Sequence, residues 1–100
     1  MKYEYTEKEK ENVLANFMRN DKIINVPAKE KKKYILLDEF IKRFERDKKY
    51  TEIEINEALM SFYPAGEHVE QRRYLVTFGF FERTSDGSQY RLSETTVKTK

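Results

Sequence analysis

Across Gly79 the apolar pattern of the chain changes period. Before it, VEQRRYLVTF spaces its apolar residues by helical turns; after it, FFERTSDGSQYRL reads as two short strands about Asp86-Gly87. Glycine tolerates a left-handed backbone without steric cost, so Gly79 is predicted as the C′ residue that ends a helix running from about Glu67 to Phe78. Asp-Gly is a hairpin signal. With those two residues as the loop, Arg83 faces Tyr90, Glu82 faces Arg91 and Phe81 faces Leu92, giving one ion pair and one apolar pair on a consistent ladder.

Upstream, the stretch YTEIEIN carries a second set of local instructions. Thr51 and Glu54 stand at capping-box spacing, and Tyr50 and Ile55 occupy the ends of a hydrophobic staple. Ile55, Leu59 and Phe62 form the buried line of the helix that follows, which Pro64 and Gly66 terminate. An earlier helix is predicted from Lys31 to Phe44, with Leu36, Leu37, Phe40, Ile41 and Phe44 on one side. A leading helix opens with the box Thr6 to Glu9, carries Val13, Leu14, Phe17 and Met18 on a stripe, and is expected to end at Asn20-Asp21-Lys22. KIINVPAK is then extended, because Pro27 biases Val26 away from helix. The expectation is an α+β chain: three helices plus a C-terminal β-hairpin, an extra N-terminal helix, and a short strand at Tyr50. That is the order of a small winged helix-turn-helix, and other small α+β domains share it. The predicted divisions are 1–26 for the leading helix and lead-in, 27–94 for the domain body and 95–100 for a polar tail.

One hundred residues suffice for one modest core. No cysteine is present, which excludes disulfides and cysteine-built metal or thiol sites. The N-terminal MKYEYTEKEK has no apolar region behind its first lysine, and no apolar run approaches the ~18 residues of a membrane span, so a cytoplasmic protein without membrane association is expected. His68 is the only histidine and has no companion ligands. Glu52 and Glu54, two apart on a helix, do not face each other. Without a nucleophile elbow or phosphate-binding glycine loop either, the expectation is a protein that is not an enzyme and uses no catalytic residues, cofactor or metal.

At this point the residues resemble a known family. Pro27 and Lys29, the basic run Lys31 to Lys33, Phe44-Glu45, Tyr50 through Asn56, the pair Arg72-Arg73, Arg83, Gly87 and Tyr90 follow a pattern similar to the bacterial DUF2087 family. Two positions depart from that pattern: Glu67 stands for the usual aspartate, and Gln71 for the usual leucine before the arginine pair. The family occurs alone or attached to helix-turn-helix segments in proteins labelled as transcriptional regulators. The resemblance therefore implies a regulatory setting, with no ligand attached to it.

Charge bears on the partner. The chain has 20 basic and 18 acidic residues, a net of +2, and the only concentrated basic patch is KEKKK, with Lys29, Lys31, Lys32 and Lys33. Residues 67–94 carry four arginines against five carboxylates, which counts against DNA because phosphate neutralisation supplies nearly all non-specific affinity. On a helical wheel that takes Val69, Leu75 and Val76 as the buried arc, Arg72 falls over the core and Arg73 at its edge. Arg72 is thus expected to brace the fold against a carboxylate, with Glu67 nearest in sequence and Glu52 and Glu54 as other acceptors. Arg73, Tyr74 and Thr77 are the expected DNA-facing residues of the third helix, with the four lysines and Arg83 on phosphates. Tyr50, Thr51, Glu54 and Asn56 are assigned structural parts. The leading expectation is a transcriptional-regulator module on double-stranded DNA. The alternative is a protein-interaction module, pairing with a second copy or a regulatory protein through an apolar patch at Phe17, Met18 or Phe80.

Overall fold

The structure, a computed structural model, describes residues 3–93; the tail predicted at 95–100 lies outside them. Helix α1 (Glu7–Phe17) starts at the predicted box, with Thr6 Oγ1 accepting from the Glu9 amide and the Glu9 carboxylate accepting from the Thr6 amide. Beyond Phe17 the chain forms a feature the sequence reading missed. Strands β1 (Met18–Arg19) and β2 (Lys22–Ile23) pair antiparallel, Met18 opposite Ile23, around Asn20 and Asp21 at φ 54° and 66°. Two successive left-handed residues are the signature of a type I′ hairpin, and Asn and Asp tolerate that conformation better than other non-glycine residues.

Helix α2 (Glu30–Phe40) buries Tyr34, Ile35, Leu36 and Leu37 in succession. Four consecutive positions cover the whole circumference of a helix, so α2 is the central element and not a half-exposed one. Its ring neighbours say what surrounds it: Tyr34 lies 5.5 Å from Phe78 and 4.8 Å from Phe80, while Phe40 lies 5.4 Å from Phe62. The helix stops at Phe40, short of the predicted Phe44. Ile41–Arg43 tighten into a 3₁₀ turn and Phe44 is extended, which carries its ring onto the sheet at Tyr50 (4.9 Å) and Phe81 (5.2 Å).

Strand β3 (Tyr50–Thr51) leads directly into α3 (Glu52–Phe62), whose capping box at Thr51 and Glu54 is formed as predicted. Helix α4 (His68–Thr77) follows, then β4 (Phe81–Arg83) and β5 (Gln89–Leu92). The sheet is antiparallel in the order β3-β5-β4, with Tyr50 opposite Tyr90. At the end of α4, Gly79 has φ 85° and its amide donates to the Val76 carbonyl, while the Phe80 amide donates to Leu75; together they make a Schellman cap.

The β4–β5 register is the predicted one, Phe81 to Leu92, Glu82 to Arg91 and Arg83 to Tyr90, and Glu82 pairs with Arg91 at 3.3 Å. The loop differs from the prediction. Of its residues only Gly87 has positive φ, so a type I′ Asp-Gly turn is ruled out; the Thr84 amide donates to Gln89, closing a four-residue loop from Ser85 to Ser88. A four-residue loop and a two-residue loop centred on the same bond give the same pairing, which is why the register was legible and the turn was not. Asp86 organises the loop by accepting from the Thr84 hydroxyl and from the amide and hydroxyl of Ser88, and these bonds pull its carboxyl down to about 2.

One core joins every layer, including Val13 of α1 and Ile23 of β2. Phe80, expected in an exposed patch, is 2% exposed because the Schellman cap turns it inward against Tyr34. Among the described residues no helix is long and apolar enough to cross a membrane.

Candidate functional site

Helix α4 sits in a different rotation from the one its valines suggest. Val69 is 54% exposed and Val76 36%, whereas Gln71 and Leu75 are buried and Phe78 follows them into the core. With Gln71, Leu75 and Phe78 inward, Arg72 moves to the flank of the helix and Arg73 to its outer side. Packing chose the arc that delivers Leu75 and Phe78 together, and the two valines were left outside.

Arg72 reaches α3 and not Glu67. Its Nη1 donates to Asn56 Oδ1 at 2.5 Å and its Nη2 stands 3.6 Å from Glu52 Oε2. Glu52 and Asn56 are four apart on α3 and so present one edge to α4, an arrangement begun by the cap at Thr51. Asn56 thus joins α3 to α4 through its side-chain oxygen. The Glu54 carboxylate accepts from the Thr51 amide in the cap, and among the described residues that of Glu67 accepts only a 3.5 Å contact from Gln71 Nε2.

The outer side of α4 faces the hairpin across a groove of about 310 Å³ lined by Glu52, Val69, Arg72, Arg73, Val76, Thr77, Arg83 and Tyr90. Three of the residues predicted to meet DNA, Arg73, Thr77 and Arg83, are thus brought together. Arg83 lies 5.8 Å from the Tyr90 ring centroid, and neither it nor Arg73 has a carboxylate partner among the described residues. The valines at either end were the missed signal: seven apart and flanking the arginine pair, they belong to an exposed surface.

Tyr74 lies elsewhere. Its ring stacks on Phe78 at 5.2 Å, its hydroxyl donates to Glu70, and Lys33 Nζ sits 5.0 Å over the ring and 3.2 Å from the hydroxyl. The other lysines turn toward α1, where Lys31 bonds Glu9 at 2.9 Å and Lys32 Nζ lies 5.7 Å from the Phe17 centroid. Lys29, Lys31 and Lys32 line a second groove that shares no residue with the first. Among the described residues no cluster of His, Asp or Glu is arranged to hold a metal ion.

Residues 22–92 match a family described as an uncharacterized protein conserved in bacteria, DUF2087. The chain belongs to the DUF2087 family. The match runs from β2 to the end of β5, so the arginine groove lies wholly within the DUF2087 region and α1 precedes it. No curated protein and no solved structure matches the chain. Gln71 is 1% exposed and its Oε1 has no hydrogen-bond partner among the described residues, so a core position of α4 is filled by an amide.

Proposed function

We propose that this DUF2087 protein is a non-enzymatic, winged-helix-like module that binds duplex DNA in bacterial transcriptional regulation, with α4 and the β4–β5 hairpin as the two sides of the contact. The observation that carries the reading is the groove in which Arg73, Thr77 and Arg83 converge, with both outer guanidinium groups lacking an acid partner among the described residues. Planar guanidinium groups held a groove apart suit successive phosphate oxygens, and Thr77 supplies a hydroxyl beside them. The order α2, β3, α3, α4, β4, β5 with β3 on β5 supports the winged-helix reading, in which the third body helix meets the major groove and the hairpin lies along the backbone. The lysine patch takes a smaller part, since Lys31 is bonded to Glu9 and Lys33 is held on Tyr74.

Retention of a random duplex pool at low and moderate salt tests this directly. The expected result is binding that falls steeply with salt, with Arg73→Ala lowering the salt slope by about one contact. Arg72→Ala is expected instead to lower the thermal midpoint, by about 1–2 kcal/mol in stability, because it leaves Asn56 and Glu52 unpartnered. A folded sample that retains no duplex at low salt removes the proposal. The exposed Val69 and Val76 favour a protein-binding surface as the second reading. A concentration-dependent dimer in sedimentation, abolished by Val76→Asp and accompanied by no DNA retention, would put that reading first.

A further inference from the structure

The exposed sides of α3 and α4 carry one pattern twice, with its charge reversed. On α3, Ile53, Glu57 and Met60 follow a spacing of four and then three; on α4, Val69, Arg73 and Val76 repeat it, and at that spacing each trio occupies one side of its helix. Ile53 is 67% exposed and Met60 50%, so with Val69 and Val76 four apolar side chains offer free surface. Glu57 and Arg73 are exposed as well, and neither has an ion-pair partner among the described residues. By the same spacing Asn56 shares the side of Ile53 and Met60, and Arg72 that of Val69 and Val76. The bond from Arg72 to Asn56 therefore joins the two stripes edge to edge on one side of the molecule.

Stripes that lie side by side cannot close on each other within one chain, but each fits the other in a second copy. We propose that this face pairs with a second copy of the chain about a two-fold axis, α3 of each against α4 of the other, with Glu57 on Arg73 and Ile53 and Met60 on Val69 and Val76. Charge selects that occupant. Helix α3 has three carboxylates and no basic residue, whereas α4 has Arg72 and Arg73 at its middle, so α3 on α3 or α4 on α4 would set like charges together. A two-fold contact makes both complementary pairings at once and closes at the dimer. Apolar side chains on either side of each Glu57–Arg73 pair exclude water, which strengthens an ion pair that is weak on an open surface. The pairing gives the exposed valines an occupant and does not rest on DNA contact. Val69, Arg73 and Val76 also line the arginine groove, so a second copy covers it. One consequence does rest on the DNA reading: duplex and second copy compete, and the dimer is the form that holds no DNA.

Sedimentation equilibrium of the full chain, carried to millimolar concentration, is expected to show monomer and dimer and nothing larger. Glu57→Arg alone and Arg73→Glu alone are each expected to raise the dissociation constant by about ten-fold or more. The two variants mixed in equal amounts are expected to recover the dimer, because each then supplies the charge the other lacks. A wild type that stays monomeric throughout overturns the proposal and leaves the face to a different protein. A dimer indifferent to both changes overturns it by placing the contact elsewhere. Failure of the mixture to recover, or growth past the dimer, overturns the two-fold pairing. If a variant does not fold, amide shifts of the wild type on dilution decide the matter: they are expected along the two stripes, and movement confined to other residues overturns the face. Duplex retained by a chain that never dimerises removes the pairing alone. A dimer, with no duplex retained even by the monomer, upholds the pairing and removes the DNA reading.

Discussion

Gln71 shows how much one side chain can tell about its surroundings. An amide buried to 1% with an unbonded Oε1 and one 3.5 Å contact is a polar group held where the neighbours offer hydrocarbon. Gln71→Leu removes the unbonded atom at similar volume and is expected to raise stability by about 1–2 kcal/mol. Urea unfolding measures it, and an unchanged or lower midpoint would show that Glu67 or water satisfies the amide. Asp86 supplies a pH prediction at the same scale. Its carboxyl is depressed from 3.8 to about 2 by the Thr84 and Ser88 bonds, so its contribution is fully present above its unfolded value and is lost as pH falls through about 2. Carboxyl NMR titration should find that low value in the wild type and a rise toward 3.8 in Thr84→Val. An Asp86 that titrates normally in both would mean that the loop bonds do not persist in solution.

At the scale of elements, the chain ends its helices by local chemistry and then uses the endings to aim the next segment. The Schellman cap after α4 depends on Gly79 at φ 85°, where an added Cβ would meet open space. The cost of Gly79→Ala is therefore purely conformational, about 1–2 kcal/mol for a left-handed alanine, with the sheet and the Phe80 packing kept. Thermal unfolding checks the magnitude, and a loss well above that range would mean that the cap also sets the register of β4. Gly87 is a different case, because a Cβ there would stand 2.8 Å from the Arg83 guanidinium. That proximity ties the hairpin turn to the direction in which Arg83 enters the groove.

At the scale of the molecule, α1 is part of the core and not an arm. Val13 is 5% exposed within the common cluster, Lys10 and Lys31 form ion pairs with Glu39 and Glu9 across the α1–α2 seam, and the hydroxyl of Tyr5 bonds Asp38. Val13→Ala is expected to destabilise the whole fold by about 2 kcal/mol in a single transition. A melt unchanged in midpoint would show α1 to be an independent appendage. The Cα radius of gyration, 13.0 Å, is that of a folded chain of about 100 residues and matches one shared core.

The sequence by itself determined both capping boxes, the Gly79 stop, the strand at Tyr50 and the β4–β5 register, because each is set by groups a few residues apart or by strand alternation about a fixed centre. Of the residues it singled out, Arg73, Thr77 and Arg83 line one groove, and Arg72 contacts Asn56 and Glu52. The tertiary structure alone decided the rotation of α4, the choice of Glu52 and Asn56 over Glu67, and the division of the lysines between Tyr74, Glu9 and the second groove. The reason is that α4 is short and carries apolar residues on two arcs. A helical wheel weighs Val69 and Val76 equally with Leu75 and Phe78, and only the surface presented by α2 and α3 makes one arc the interior.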